Sequence, residues 1–204
     1  MKKNAIFDLD YQNENLEARI VVGLERIAEA FRVLLWQESK EFSLSPIQIQ
    51  ILIFLQAHSI EKCKVGYLAQ EFNLTKPTVS DAVKILEQKQ LIRKETEPND
   101  NRSYTMHLTE AGKKIASKTA HFAAAIQQPL NELHPEHKVL LLESLMHLIH
   151  KLNKNGVITL QRMCQTCRFY SKNQGVQAHY CHFLKKPLST VDIRIDCPEH
   201  EPLQ

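Results

Sequence analysis

Apolar residues recur at alternating spacings of four and three through Ile20, Leu24, Ile27, Phe31 and Leu34, the pattern of a helix with one apolar seam. A second series, Val139, Leu140, Leu142, Leu145, Met146, Ile149 and Leu152, predicts another such helix, which Gly156 would terminate. Between them the elements shorten. Thr75 offers a capping oxygen and Pro77 lies in the first turn, so a helix is expected from Lys76 to Lys89. At 100° per residue, Val79, Ala82, Val83 and Leu86 form its core stripe. Pro77, Asp81, Lys84 and Gln88 lie opposite, flanked by Lys76, Thr78 and Ser80. The runs Leu91 to Thr96 and Tyr104 to Leu108 then bracket a turn-rich polar loop, Glu97 to Ser103, and predict a hairpin. Ser43 to Ile60 contains no Lys, Arg, Asp or Glu, but Pro46, Gln48, Gln50, Gln56 and His58 make it a buried helix rather than a membrane span.

The polar face of the 76–89 helix is short-chained and lightly charged, which suits close approach to base edges. An ordinary solvated helix in a chain this charged would carry more Glu and Lys there. At the hairpin tip Arg102 stands beside Asp100, and a guanidinium on a rigid ribbon can enter a minor groove. A plain surface hairpin explains the second feature alone, but not its position directly after such a helix.

Several segments carry a resemblance: Leu44-Ser45-Pro46 opening a helix, Leu68-Ala69-Gln70-Glu71-Phe72-Asn73-Leu74, Thr78-Val79-Ser80, and Asp100-Asn101-Arg102 followed by Leu108-Thr109-Glu110-Ala111-Gly112. On these the chain resembles MarR-type winged-helix transcription regulators over roughly residues 12 to 153, the Asp-x-Arg tip with its following Leu-Thr-x-x-Gly being the most specific piece. The resemblance implies a homodimer on double-stranded DNA, with the 76–89 helix in the major groove and Arg102 in the adjacent minor groove. The implied DNA-binding set is Lys76, Pro77, Thr78, Ser80, Asp81, Lys84, Gln88, Asn101 and Arg102. Members often place a basic residue where this chain has Asp81, and a carboxylate there can accept from cytosine but repels phosphate. The expected fold is mainly α, a winged helix-turn-helix with a small β-hairpin wing at 44–114. Helical dimerisation segments are expected at 12–40 and 115–153, and a small metal-stapled module at 157–204.

Composition fits without deciding the matter: 204 residues, 43% hydrophobic and 24% charged, suit one or two compact domains. Net charge is only +3, and Lys64 to Lys114 holds nine basic residues against seven acidic, so placement rather than bulk charge carries the nucleic-acid reading. The N-terminal residues Met1 to Asp8 are interrupted by charge before an apolar signal core develops, so a cytoplasmic protein without a membrane segment is expected. Five glycines, at 23, 66, 112, 156 and 175, provide no phosphate-binding loop, and no nucleophile–base set can be assembled, which argues against an enzyme. Two apolar seams outside a small winged helix exceed what one monomer covers. This favours a dimer, and dimer symmetry predicts an inverted-repeat operator bound by a repressor. A small-molecule effector between the helical dimer and the winged helix is a further partner compatible with this layout. The alternative is a protein-interaction module that uses the winged helix for docking rather than DNA reading.

Beyond Gly156 four of the five cysteines cluster as Cys164-x2-Cys167-x13-Cys181-x15-Cys197. In a reducing compartment this favours a metal over disulfides, and so short a tail needs a staple to fold. Zinc leads on frequency, with His179, His182 and His200 nearby as substitute ligands. The order Cys-x2-Cys, a lone cysteine, then Cys197-Pro198 also resembles iron–sulfur ligand spacing, so an iron–sulfur cluster is the alternative cofactor. Cys63 stands alone and reads as a small apolar residue before it reads as a sensor.

Overall fold

The computed structural model describes residues 5–97, 100–172 and 179–203, with the backbone alone at 97 and 100–102. The described residues are mainly helical and form two small antiparallel sheets. Helices α1 (Leu9–Glu14) and α2 (Leu16–Phe42) lead into α3 (Pro46–Ala57), α4 (Val65–Glu71) and α5 (Lys76–Gln88). Strands β1 (Ile92–Glu97) and β2 (Asp100–Leu108) form the wing, followed by α6 (Glu110–Thr119), α7 (Ala124–Asn131) and α8 (Pro135–Lys154). The tail adds a three-stranded meander, β3 (Tyr170–Lys172), β4 (His179–Cys181) and β5 (Lys186–Leu188).

Local chemistry accounts for the boundaries. Ser45 and Gln48 cap α3 reciprocally, with Pro46 at the first helical position. Ile49, Ile51, Leu52, Phe54 and Leu55 of this helix are buried, which explains the stretch without charged residues. The Thr75 hydroxyl accepts from the Thr78 amide at 3.3 Å and starts α5, as the sequence predicts. Val79, Ala82, Val83 and Leu86 face the core from it, so the predicted stripe is the observed one. The wing strands pair from Ile92↔Leu108 to Thr96↔Tyr104, then shift register to reach Glu97↔Asp100. The ribbon therefore continues into a stretch that turn composition alone marks as loop. Gly112 is required by close approach: a Cβ there would lie 1.9 Å from the Leu91 carbonyl oxygen, which accepts the Thr109 amide. Gly156 ends α8 at φ +74°, where the left-handed region favours glycine.

The region expected to hold helical dimerisation segments, 115–153, carries the second half of α6, all of α7 and nearly all of α8, separated by turns at 120–123 and before Pro135. Its apolar series is also divided in use. Leu142, Met146 and Ile149 pack against Met163, Cys164, Leu188 and Ile193 and form the core of the tail. Leu140 and Leu152 of the series remain exposed, as does Leu148, which is not part of it. On α2 most of the predicted seam stays open: Ile20, Leu24, Ile27 and Phe31 are each between 40% and 49% exposed, while Leu34 is half-buried. Among the described residues no helix is long and apolar enough to cross a membrane.

Candidate nucleic-acid interface and cysteine centre

Because α5 buries its apolar stripe, Lys76, Pro77, Thr78, Asp81, Lys84 and Gln88 are all exposed on its outer face, with Ser80 half-buried beside them. The Thr78 hydroxyl shares a 2.8 Å hydrogen bond with that of Thr75, which orders the first turn. Beside this face a cleft of about 400 Å³ opens toward the wing, lined by Lys64, Gly66, Lys76, Ser80, Ser103 and Tyr104. Lys64 and Tyr104 carry no periodic signal and were not among the expected contacts. The side chains of Asn101 and Arg102 lie outside the described residues, as do Pro98 and Asn99.

Among the described residues, Arg93 and Lys94 of the wing are engaged within the fold. Lys94 Nζ pairs with Glu87 at 2.6 Å and lies 4.9 Å above the Tyr104 ring. Arg93 and His107 both reach Glu95, at 3.0 and 3.2 Å. Lys76 and Lys84 form no such pair among the described residues, which leaves their ammonium groups available to an anion.

In the tail the four clustered cysteines converge. Cys164, Cys167, Cys181 and Cys197 line one apolar cavity of about 30 Å³. Cys164 and Cys167 are buried, and the other two are half-buried. Three of the four sulfurs receive N–H donors: the Arg194 amide to Cys164 at 3.3 Å, the Leu184 amide to Cys181 at 3.5 Å, and Arg194 Nη1 to Cys197 at 3.6 Å. His179, His182 and His200 do not line the cavity and bond instead to Tyr170, Ser171 and Thr166. Cys63 lies apart in the winged-helix core at 1% exposure, and burial pushes its thiol up to about 11. That is the setting of an inert thiol, not a reactive one.

The feature with no forewarning in the sequence is Arg162, whose side chain is only 7% exposed. Its fork donates to Asp196 twice, from Nε at 2.6 Å and Nη2 at 2.9 Å. It also reaches across to α4, donating to Glu71 at 2.5 and 3.0 Å and to the Tyr67 hydroxyl at 3.0 Å. Burial works against its charge, but the carboxylates of Asp196 and Glu71 outweigh burial and hold its pKa above the ordinary value. The same guanidinium holds the Asp196 carboxyl down to about 2. His58, stacked 3.8 Å from the Phe54 ring, adds a 3.1 Å contact to Asp196. Thr159 Oγ1 donates to the Gln70 carbonyl at 2.8 Å, and Thr190 Oγ1 to Glu143 of α8 at 3.0 Å. The tail is thus fastened to α4 on one side and to α8 on the other.

Comparison with known proteins agrees with this architecture. A model of the MarR family matches residues 42–103. The S. aureus MepR–DNA complex is similar at 24% identity, covering 65% of this chain and 97% of that one, with a TM-score of 0.57. Streptococcus pneumoniae FabT in complex with DNA is similar at 21% identity, covering 67% and 96%, with a TM-score of 0.56. A MarR transcriptional regulator from Methanosarcina mazei Go1 is similar at 19% identity, covering 66% and 97%, with a TM-score of 0.55. These likenesses establish the MarR winged-helix fold, and each leaves about a third of this chain without a counterpart. No curated protein matches the chain.

Proposed function

We propose that this chain is a dimeric DNA-binding transcription regulator that represses by occupying an inverted-repeat operator. In this reading α5 enters the major groove, Arg102 enters the adjacent minor groove, and the four-cysteine tail is a metal-holding module attached to the winged helix. The observation that carries it is α5 itself, which turns four apolar residues inward and leaves Lys76, Thr78, Asp81, Lys84 and Gln88 outward beside a cleft bordered by the wing. The solved neighbours MepR and FabT were determined with DNA, which supports the same use of the fold here. The exposed seam of α2 and the remaining apolar residues of α8 support a dimer, since a monomer would leave both facing water.

The test is an anisotropy titration of the full chain on duplexes it has itself selected from random sequence, repeated across salt concentrations. Binding should weaken steeply with salt and be lost on Arg102→Ala. Absence of binding at low salt would overturn the reading and favour a winged helix used for protein docking.

A further inference from the structure

Four thiolates that each sit about 2.3 Å from one zinc ion leave no room among them for a water-sized sphere. Here Cys164, Cys167, Cys181 and Cys197 share with eight other residues the border of a cavity of about 30 Å³, more than one water requires. Among the described residues, no group of three His, Cys, Asp or Glu is arranged to hold a single metal ion. Four thiols that border one cavity, with no three of them placed to hold a single ion, suit a group that carries its own bridging sulfide and offers separate metal atoms to separate thiolates. The surroundings suit such a group: Phe169, Tyr170, Phe183, Leu184 and Leu188 line most of the cavity, Asp192, Arg194 and Glu199 complete its border, and the N–H donors to three sulfurs favour thiolate charge.

Resting on the DNA-binding reading above, we infer that this cavity holds a [4Fe–4S] cluster, and that the cluster keeps the tail docked on α4 and thereby sets DNA affinity. Assembly balances without electron transfer: a [4Fe–4S]²⁺ core and four thiols form four Fe–S bonds and release four protons, which leaves a dianionic site. The route from the site to the DNA face is short. The Cys197 amide donates to the Arg162 carbonyl at 3.0 Å, and the Cys164 amide to the Arg194 carbonyl at 3.0 Å, so the two ligand-bearing segments are laced together. Residues 162 and 196 form a parallel bridge, which sets the two halves of the Arg162–Asp196 pair directly beside Cys164 and Cys197. From there the guanidinium grips Glu71 and Tyr67 on α4. Glu71 is the last residue of α4, and α5 begins at Lys76. The tail's own core is small and shared with α8. Without a group to join the four thiols, Arg162 and Asp196 lose the frame that aims them, and α4 loses its tie to α8.

The test uses the full chain purified without oxygen. Iron, acid-labile sulfide and zinc are measured per chain beside the visible spectrum. DNA affinity is then compared before and after removal of the cluster by an iron chelator, and again after rebuilding with ferrous iron and sulfide or with zinc alone. The expected result is a brown protein with four iron and four sulfide per chain. Its affinity falls about tenfold on cluster removal and recovers with iron and sulfide but not with zinc. Arg162→Leu and the milder Glu71→Gln should retain the cluster yet lose most of that response. A colourless protein with one zinc per chain would overturn the inference, as would a cluster whose removal leaves affinity unchanged. A cluster-bearing chain that binds no DNA in either form would support the cluster assignment and overturn the regulator reading instead, so the two failures are distinguishable.

Discussion

Replacing Arg162 by Leu removes a guanidinium that is 7% exposed and makes five hydrogen bonds to Asp196, Glu71 and Tyr67. It also removes the cation lying 5.7 Å from the Phe54 ring centre and 5.9 Å from that of Tyr67. Breaking a buried ion pair by deleting one partner costs about 3–5 kcal/mol, because the other charge stays behind uncompensated. The Asp196 side chain is 48% exposed and can rehydrate, so its share falls to that of a surface pair. Glu71, at 20%, cannot rehydrate as readily and carries most of the penalty. The net loss is about 3 kcal/mol, which for a chain of this size lowers Tm by roughly 6–12 °C. Thermal melts by circular dichroism on the wild type, Arg162→Leu, Glu71→Leu and the double variant form a cycle. The double variant should be more stable than the sum of the singles predicts by about 2 kcal/mol, since neither charge is then stranded. A Tm drop of less than about 2 °C, or strict additivity in the cycle, would refute the claim that Arg162 fastens the tail to α4.

Gly112→Ala pushes a methyl against the Leu91 carbonyl, so stability should fall by about 3 kcal/mol in urea titration, and an unchanged midpoint would contradict the close approach. Lys84→Ala should weaken binding to every duplex alike and flatten the salt slope by about 0.9, whereas altered base preference at constant slope would remove Lys84 from the phosphate contacts. Ile27→Glu puts a charge into the exposed α2 seam; light scattering should then report a monomer with poor operator binding, and a persistent dimer would place the interface elsewhere. Cys63 should resist iodoacetamide in the folded chain until pH approaches about 11, and rapid labelling at neutral pH would show that its core is open.

The α5–wing unit was legible because its signals are local. Thr75 and Pro77 mark the start of α5, the stripe of Val79, Ala82, Val83 and Leu86 sets its orientation, and Gly112 follows the wing at the point where backbone crowding demands it. Gly156 marks the end of α8 for the same kind of reason. The Arg162 clamp was not legible: its partners Glu71 and Tyr67 lie 91 and 95 residues away, and pairing at that distance leaves no periodic trace. The double duty of α8 was hidden for a related reason, since an apolar stripe shows that a face is covered without showing by what. The four cysteines announced a shared site through their clustering, but the cavity between them depends on how β4 and the 3₁₀ turn Cys164–Thr166 are placed around it.

Hydroxyl-radical footprinting of the full chain on a selected duplex, with the mass of the complex measured in parallel, bears most directly on whether this is a dimeric reader of inverted repeats. Two symmetric protected half-sites about 10 base pairs apart, occupied by two chains, are the predicted outcome. Protection of one unsymmetrical site by a single chain, or no protection at low salt, would contradict it.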